Sequence, residues 1–386
     1  MPILTLTQTW IFCAGILAAA HLGKLPALMP EIRPELGIGL VLGALIISIM
    51  EIGGALFGAV SATFAQKLSQ GGILKVSILA LGLGSLGEAS ATGSFALLSW
   101  RLLEAAGYLG VIVTAPVLMA RAARPGEAPR SLAIWSTFVA IGIALGSIVS
   151  GLVAEHHGWR VALGFWALFS FAFLALGLLV RLPTGETART GFRWPSRLEL
   201  TAAAGFGCFA SFQVGLFALT PEYLISMRGF DVQGAAGLVG LGAGITALGA
   251  LAPLLMRRAF THRRSVNAFL WVSLVVPGLL GFVVFLQVPV WLVATAFLLL
   301  NAVSGIFAAL AFARIPLMSL DGDVTGATGA LAQFGAAGSL LGPPAFGLAV
   351  SLGGWLAAAA FGLVVSVLAL ILTLLANRRL YRMGFS

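Results

Sequence analysis

The sequence predicts an all-helical membrane protein of twelve transmembrane helices, arranged as two related six-helix bundles. Three observations support this fold class: the composition, the spacing of long apolar segments, and a glycine pattern that recurs at a constant offset. Of the 386 residues, 60% are hydrophobic and only 9% are charged, whereas soluble domains carry about 25% charged residues. The composition therefore disfavours a water-soluble fold.

Twelve apolar segments follow one another along the chain, each close to the roughly 20 helical residues that cross a bilayer core of about 30 Å. The first six predicted spans cover 8–28, 38–62, 73–93, 96–120, 131–153 and 161–180. The second six cover 199–226, 233–256, 266–287, 290–313, 325–350 and 354–376. We therefore expect an N-terminal bundle over 1–180, a polar cytoplasmic loop over 181–198 and a C-terminal bundle over 199–386.

The basic residues are unevenly distributed between the two sides of this arrangement. With a cytoplasmic N-terminus, the inner segments hold seventeen Lys and Arg residues, and the outer segments hold three: Arg33, Arg160 and Arg228. An excess of basic residues marks cytoplasmic loops. We therefore expect a multi-pass protein of a bacterial inner membrane with both termini cytoplasmic. The formal net charge of +9 then reflects topology, and no nucleic-acid partner is expected.

The two halves share a glycine pattern. The fifth span reads GIALGSIVSGLVAEHHGW and the eleventh reads GAAGSLLGPPAFGLAVSLGGW. Their matching residues are all 196 positions apart: Gly142/Gly338, Gly146/Gly342, Gly151/Gly347, Gly158/Gly354 and Trp159/Trp355. A constant offset near half the chain length indicates internal duplication, and duplicated transporters bind their solute at the interface between the repeats.

The segments around these helices resemble the major facilitator superfamily. After the second span, ATFAQKLSQGG corresponds to the family's Gly-x-Leu-Ala-Asp-Arg loop, with Gln66 at the acidic position and Lys67 at the basic position. In the fourth span, RLLEAAGYLG resembles Arg-x-x-Gln-Gly, with Arg101 kept and Glu104 in place of the amide. The resemblance implies a gating role for Gln66 and Lys67, although the family's locking carboxylate is missing.

The glycine series of the fifth span resembles the family's antiporter signature. Ser147 stands where that signature has proline, whereas the eleventh span keeps Pro343 and Pro344. We expect Gly142, Gly146, Gly338, Gly342 and Pro343 to shape close helix packing. The segments LPALMPEIRPELG and IWSTF are similar to the cyanate and nitroimidazole branch of small-solute transporters.

Ionisable residues inside the spans are the candidates for transport chemistry, because a charge at mid-bilayer is costly unless it has a partner or a task. His21 and Lys24 lie one turn apart on the first span, and Arg101 and Glu104 lie one turn apart on the fourth. Both pairs fall at the same depth, and in the resembling fold both helices line the central cavity. We expect Lys24, Arg101 and His21 to bind an anion and Glu104 to carry a proton. The alternative is a structural Arg101–Glu104 ion pair, with Lys24 reaching outward to the lipid headgroups.

Other polar and aromatic residues complete the predicted site. Glu51, in the middle of the second span, is a second proton candidate, the alternative being a protonated carboxyl bonded to a neighbouring helix. The second half contributes the following candidate contacts to the solute: Phe212, Gln213, Tyr223, Asn301 and Gln333. Aromatic residues at helical spacing more commonly serve packing or face lipid.

Three patterns do not predict additional chemistry. The segment GLGSLG at 82–87 fits a dinucleotide-binding pattern but lies in an apolar span, where small residues serve close packing. His156 and His157 have no Cys, Asp or further His at metal-ligand spacing, and Glu155 alone is thin support for a metal site. No nucleotide-binding loop is present in the sequence. We expect no cofactor and no metal, with a small solute, protons and membrane lipid as partners of a monomer.

Two transport functions remain open. The first is proton-coupled transport of a small organic or inorganic anion, which the basic pair favours. The second is proton-antiport efflux of a drug-like compound or exported metabolite, which the glycine-rich fifth span favours. A membrane enzyme or a solute sensor would need a catalytic cluster or a signalling domain, and the sequence shows neither. The protein is expected not to be an enzyme.

Overall fold

A computed structural model describes residues 4–59, 69–184, 193–250, 263–319 and 325–382. Within these ranges the chain is helical and contains no β-strand. The helices are α1 (Leu6–Leu36), α2 (Leu40–Phe57), α3 (Gln70–Ala89), α4 (Ser94–Arg121), α5 (Ala128–Trp135), α6 (Phe138–His157), α7 (Trp159–Leu178), α8 (Arg197–Arg228), α9 (Val232–Gly249), α10 (Arg263–Val284), α11 (Val290–Ala313), α12 (Ile315–Met318) and α13 (Thr325–Arg382).

Eleven of the described helical segments are long and apolar enough to cross a membrane. The last of them, α13, spans 58 residues but is broken at Gly353 and Gly354, where the backbone is not helical. The break falls between the predicted spans 325–350 and 354–376, so α13 corresponds to two predicted helices joined without a loop. Counted as two crossings, α13 accounts for the difference between eleven described segments and twelve predicted spans.

Side-chain caps explain where the long helices begin. Thr5 and Gln8 form a capping box at α1, in which each side chain bonds the backbone N–H of the other residue. Ser196 and Glu199 form the same arrangement at α8, and Arg193 also pairs with Glu199. Such caps satisfy N–H groups that have no partner inside the helix. The polar stretch between the two predicted halves therefore ends in a defined helix start.

The boundaries of two predicted spans differ from the structure. Helix α1 continues to Leu36, eight residues beyond the predicted end, and stops at Gly37, whose positive φ of 63° suits a helix end. The predicted span 131–153 is interrupted: α5 ends at Trp135 and α6 begins at Phe138. The hydrophobic pattern runs through this break, which is why the sequence did not reveal it.

The chain forms two compact units. Unit 1 contains residues 1–39, 61–190 and 230–240, and unit 2 contains residues 40–60, 191–229 and 241–386. The sequence-based division into 1–180 and 199–386 therefore differs from the units in α2 and in the first part of α9. In unit 2, Gly54 and Gly58 bring α2 so close to α13 that added Cβ atoms would lie 2.7 Å from Ala336 Cβ and 2.9 Å from Gln333 Cα.

Each unit contains a pair of helices in close backbone contact through the predicted glycines. In unit 1, Cβ atoms added to Gly142 and Gly146 would lie 2.4 Å from the carbonyl oxygen of Ile16 and 2.2 Å from that of Ala20. In unit 2, Cβ atoms on Gly338 and Gly342 would lie 2.0 Å and 2.3 Å from the carbonyl oxygens of Gly207 and Ser211. A side chain at any of these four positions would collide with the neighbouring backbone.

The close contacts in the two units correspond to each other along the chain. Gly207 follows Ile16 by 191 positions, and Ser211 follows Ala20 by the same number. Gly158 and Gly354, a pair separated by 196 positions, have φ of 79° and 71°. The repeated glycines therefore have equivalent packing partners and equivalent backbone conformations, as an internal duplication predicts.

Candidate functional site

Unit 1 contains a cluster of five ionisable side chains that are completely buried. The members, here called the charge cluster, are His21 and Lys24 on α1, Glu88 on α3, and Arg101 and Glu104 on α4. Burying a charge is costly unless it is paired and hydrogen-bonded. The sequence predicts four of the five residues and the encounter of α1 with α4, but not the participation of Glu88.

Lys24 lies at the centre of the charge cluster. Its Nζ donates to Oε1 of Glu104 over 2.5 Å and to Oγ of Ser85 over 2.7 Å, and it lies 3.0 Å from Oε2 of Glu88. The side chain is 0% exposed. The alternative in which Lys24 reaches outward to the headgroups is therefore wrong for this conformation, since its ammonium group joins α1 to α3 and α4.

Arg101 joins α4 to the backbone of α1. Its Nη1 donates to Oε2 of Glu104 over 2.5 Å and to the carbonyl oxygen of His21 over 3.0 Å. The same atom lies 3.6 Å from Oε1 of Glu88. With both carboxylates ionised and His21 neutral, two positive charges face two negative charges, so the predicted pair of cations is already balanced within unit 1.

His21 connects the charge cluster to α7. Its Nδ1 lies 2.8 Å from Oε1 of Glu104, and its Nε2 lies 3.0 Å from Oγ of Ser170. Ser170 also lies 2.8 Å from the carbonyl oxygen of Trp166, to which its hydroxyl can donate. Because a carboxylate only accepts hydrogen bonds, Nδ1–H of His21 donates to an ionised Glu104, and Nε2 accepts from the hydroxyl of Ser170.

The segment GLGSLG lets α3 and α4 approach closely enough to place Glu88 in the cluster. Cβ atoms on Gly84 and Gly87 would lie 2.3 Å from Cγ of Glu104 and 2.0 Å from the Trp100 ring. These contacts agree with the interpretation of the motif as close helix packing. The absence of side chains at these positions leaves room for Glu104 beside α3, the helix that carries Glu88.

Unit 2 contains a smaller and uncharged polar group. Gln213 on α8 donates from Nε2 to Oδ1 of Asn301 on α11 over 2.7 Å, and Thr246 on α9 donates to the same oxygen over 3.2 Å. Asn301 donates in turn to the carbonyl oxygen of Phe297 over 2.8 Å. Two of the predicted contact residues are thus brought together by three helices, and they offer hydrogen-bonding groups without a net charge.

Phe212 and Tyr223, two further predicted contacts, lie in the core of unit 2. Each is 1% exposed. The hydroxyl of Tyr223 donates to the carbonyl oxygen of Leu286 over 2.9 Å, and its ring packs edge-on against Phe285. In this conformation neither side chain offers a surface to a solute, which corresponds to the packing alternative.

Glu51 lies in a single 3₁₀ turn, Ile49–Glu51, inside α2. Among the described residues its carboxylate has no hydrogen-bond partner or ion pair. Nearby contacts hold α2 to α13: Gln333 donates to the carbonyl oxygen of Ala55 over 3.0 Å, and Ser48 donates to that of Leu340 over 2.8 Å. Gln333 therefore joins two helices of unit 2 in this conformation. Gln66 and Lys67 lie outside the described residues.

The glycine-rich α6 also contacts the first part of α9 within unit 1. Ser147, at the position of the expected proline, donates from Oγ to the carbonyl oxygen of Ala236 over 3.0 Å. Oε2 of Glu155 accepts from the backbone N–H groups of Val232 and Gln233 at 3.1 Å and 3.4 Å. The hydroxyl of Ser147 therefore links α6 to α9 by a hydrogen bond. A proline at this position has no hydroxyl and could not form it.

Apolar helices that can cross a membrane, duplicated close contacts and a buried charge cluster are features of a multi-pass membrane transporter. Residues 11–286 match the model of the Major Facilitator Superfamily. The chain belongs to this superfamily, whose members carry small-molecule substrates and are typically not enzymes.

Similar proteins agree with this assignment. The chain is 27% identical over 172 residues to the efflux pump apf11 of Gibberella fujikuroi and 26% identical over 157 residues to the MFS-type transporter YybF of Bacillus subtilis. These matches cover 42% and 40% of this chain, but only 30% and 38% of the respective relatives. The chain thus matches roughly a third of the length of each.

A solved structure matches over nearly the whole chain. It is an inward-facing, unoccupied bacterial homologue of the human lysosomal transporter Spinster, with a TM-score of 0.78. The match covers 99% of this chain and 97% of that structure at 14% sequence identity. The fold is therefore shared even though the sequences have diverged widely.

Proposed function

We propose that this protein is a proton-coupled secondary transporter of a bacterial inner membrane, with cytoplasmic termini, that exports a small organic solute in exchange for protons. The observation that carries the proposal is the charge cluster. Two cations, two carboxylates and a histidine, all fully buried, form a group that can gain or lose a proton inside a membrane-spanning unit. Intramembrane carboxylate and histidine groups of this kind serve proton pathways.

The charge balance favours export by antiport over the predicted anion site. Lys24 and Arg101 each donate to Glu104 at 2.5 Å, so an incoming anion would have to compete with a carboxylate that is already bound. In unit 2, Gln213 and Asn301 supply uncharged hydrogen-bonding groups. A relative named as an efflux pump also supports the outward direction. One proton moving down about 100 mV supplies about 2.3 kcal/mol, which sustains a solute gradient of roughly fiftyfold.

Proton-linked anion transport is the second candidate, and one specific contact favours it. Glu104 accepts from both cations through different oxygens. Protonation of this single residue would leave Lys24 and Arg101 with only Glu88 as counter-charge. An anion could then occupy the vacated position, with Arg101 offering a fork of donors and Lys24 a point charge.

Proton movement in membrane vesicles separates the two candidates. In everted vesicles acidified by respiration, a solute that enters in exchange for protons reverses the quenching of a pH-sensitive acridine dye. A panel of lipophilic cations, neutral drugs and organic anions is added to vesicles containing the wild-type protein, Arg101→Ala or Glu127→Gln. Glu127 precedes α5 and lies outside the charge cluster, so its variant is the control. Export by antiport predicts solute-dependent recovery of fluorescence with wild type and Glu127→Gln, and loss of that recovery with Arg101→Ala.

Two other results would contradict the antiport proposal. If no compound restores fluorescence, but an organic anion makes the medium alkaline when it is added to right-side-out vesicles, the antiport proposal is wrong and the anion candidate holds. Proton movement in neither orientation, with the protein present and folded in both preparations, would contradict proton coupling altogether.

A further inference from the structure

Glu88 and Glu104 share the same two cations but have very different hydrogen bonding. Glu104 accepts from Lys24 and Arg101 at 2.5 Å, and it faces His21 at 2.8 Å. Both oxygens of Glu88 are buried and have no well-aligned hydrogen bond among the described residues, although Lys24 lies 3.0 Å from Oε2 and Arg101 lies 3.6 Å from Oε1. Glu104 is therefore held by aligned hydrogen bonds, whereas Glu88 is stabilised mainly by the ion pair with Lys24 and by the charge of Arg101.

Protonation has a different energetic cost at the two carboxylates. A proton on Glu104 would weaken two charge-assisted hydrogen bonds, which are among the strongest in proteins. A proton on Glu88 would break no well-aligned hydrogen bond, only weaken the ion pair with Lys24, and it would remove a buried charge with poor hydrogen bonding, the costly situation for a carboxylate. Protonation of Glu88 therefore disrupts fewer hydrogen bonds in the charge cluster than protonation of Glu104.

We propose that Glu88, rather than Glu104, is the group that binds and releases the transported proton. This inference rests on the proposed proton coupling and names its carrier. The proton adds to Oε1, which lies 3.6 Å from Arg101, because Oε2 lies closer to a cation, 3.0 Å from Lys24. The carboxylate becomes a carboxylic acid, no other bond breaks, and the charge of the cluster rises by one.

The proton changes one set of helix contacts and leaves another in place. Lys24 is paired with Glu88 on α3 and with Glu104 on α4. When Glu88 is neutral, the ion pair between α1 and α3 is lost, while Lys24 still donates to Ser85 on α3 and, with Arg101, to Glu104 on α4. The charged and titratable groups that face Glu88 are Lys24 and His21 from α1, and Arg101 and Glu104 from α4. The proton thereby weakens the attraction between α1 and α3 without dissolving the cluster.

Infrared difference spectroscopy tests this assignment without a known solute. The full-length protein in liposomes is brought from high to low pH, and the carbonyl stretch of a protonated carboxylic acid is recorded. Wild type, Glu104→Gln and the control Glu127→Gln are expected to gain a band from a buried acid, and Glu88→Gln to lose it. Glu88→Asp keeps a carboxyl group and is expected to restore the band at a shifted frequency, which separates loss of the proton carrier from misfolding.

Two outcomes overturn the assignment. A band that persists in Glu88→Gln but disappears in Glu104→Gln would transfer the proton to Glu104. A wild-type protein that gains no such band would show that neither carboxylate is the carrier. The dye assay with everted vesicles is independent of this result, so transport in the absence of the band would contradict the role of Glu88 while leaving the proposed function standing.

Discussion

Nζ of Lys24 lies 2.5 Å from Oε1 of Glu104 and 3.0 Å from Oε2 of Glu88. One ammonium group therefore neutralises parts of two carboxylates on different helices. All three side chains are completely buried, and water does not replace a partner that is lost. The stability of unit 1 should depend on the balance of charge at this point rather than on any single residue.

Replacing Lys24 tests this balance. Lys24→Met leaves Arg101 opposite two carboxylates, and breaking a buried pair in this way costs about 3–5 kcal/mol. Adding Glu88→Gln removes the surplus negative charge, so the double variant should regain much of the loss. Thermal unfolding of the purified protein in detergent measures both effects.

Glu127, a half-buried carboxylate at the start of α5, provides the matched control for this series. Lys24→Met combined with Glu127→Gln should be as unstable as Lys24→Met alone, because Glu127 is not part of the charge cluster. Equal unfolding temperatures for the two double variants would show that lost packing, and not charge imbalance, explains the effect of Lys24→Met.

Gly146 supports the contact between α1 and α6. Gly146→Ala places a Cβ 2.2 Å from the carbonyl oxygen of Ala20, and a backbone atom cannot move aside as a flexible side chain can. Overpacking of this kind costs about 1–3 kcal/mol. Gly164→Ala on α7 is the control, because a Cβ there has no heavy atom within 4 Å. We expect a lower unfolding temperature for Gly146→Ala alone, and equal values for the two variants would contradict the close contact.

A substitution at Gly342 tests whether the duplicated contact contributes as much to stability in unit 2 as in unit 1. A Cβ at this position would lie 2.3 Å from the carbonyl oxygen of Ser211, so Gly342→Ala should cost about as much as Gly146→Ala, on the order of 1–3 kcal/mol. Gly244→Ala on α9 is the control, with no heavy atom within 4 Å of the added Cβ. Limited proteolysis with mapped fragments should show the loosening in unit 2. Cleavage confined to unit 1 would contradict this prediction.

The sequence was sufficient to predict features that depend on composition or on repetition. The glycine pairs revealed the duplication because the repeated helices keep the same spacing. Lys24, Arg101 and Glu104 could be placed together because their depths follow from the helical rise. The family assignment rested on the loop after the second span and on the fourth and fifth spans. The match over residues 11–286 confirms it.

Glu88 could not be recognised in the same way. It lies close to the C-terminal end of its span, where a carboxylate is ordinarily interfacial, and its two cations belong to other helices. Its environment depends on how closely α3 packs against α4, which Gly84 and Gly87 permit. The segment GLGSLG, immediately before Glu88, was the only signal of that approach. The sequence also could not show that α2 packs within unit 2, because this arrangement depends on tertiary contacts.

The hydrogen bond between Gln213 and Asn301 leads to the last prediction. Asn301 Oδ1 accepts from Gln213 and Thr246, while Oε1 of Gln213 is buried and has no partner among the described residues. Asn301→Leu would leave the whole Gln213 amide unsatisfied, at a cost of about 1–3 kcal/mol. In a protein that already carries Gln213→Leu, the substitution Asn301→Leu should cost much less, because no glutamine amide remains to be satisfied.

A double-mutant cycle in denaturant unfolding measures this dependence. The coupling between Gln213→Leu and Asn301→Leu should be about 1 kcal/mol or more, within the range found for residues in one hydrogen-bond network. Thr295→Val provides the reference, because within the described ranges the Thr295 hydroxyl bonds only to the carbonyl oxygen of Trp291 in its own helix. Additive effects for Gln213 and Asn301, equal to those for Gln213 and Thr295, would mean that the amide pair contributes nothing to holding α8 against α11.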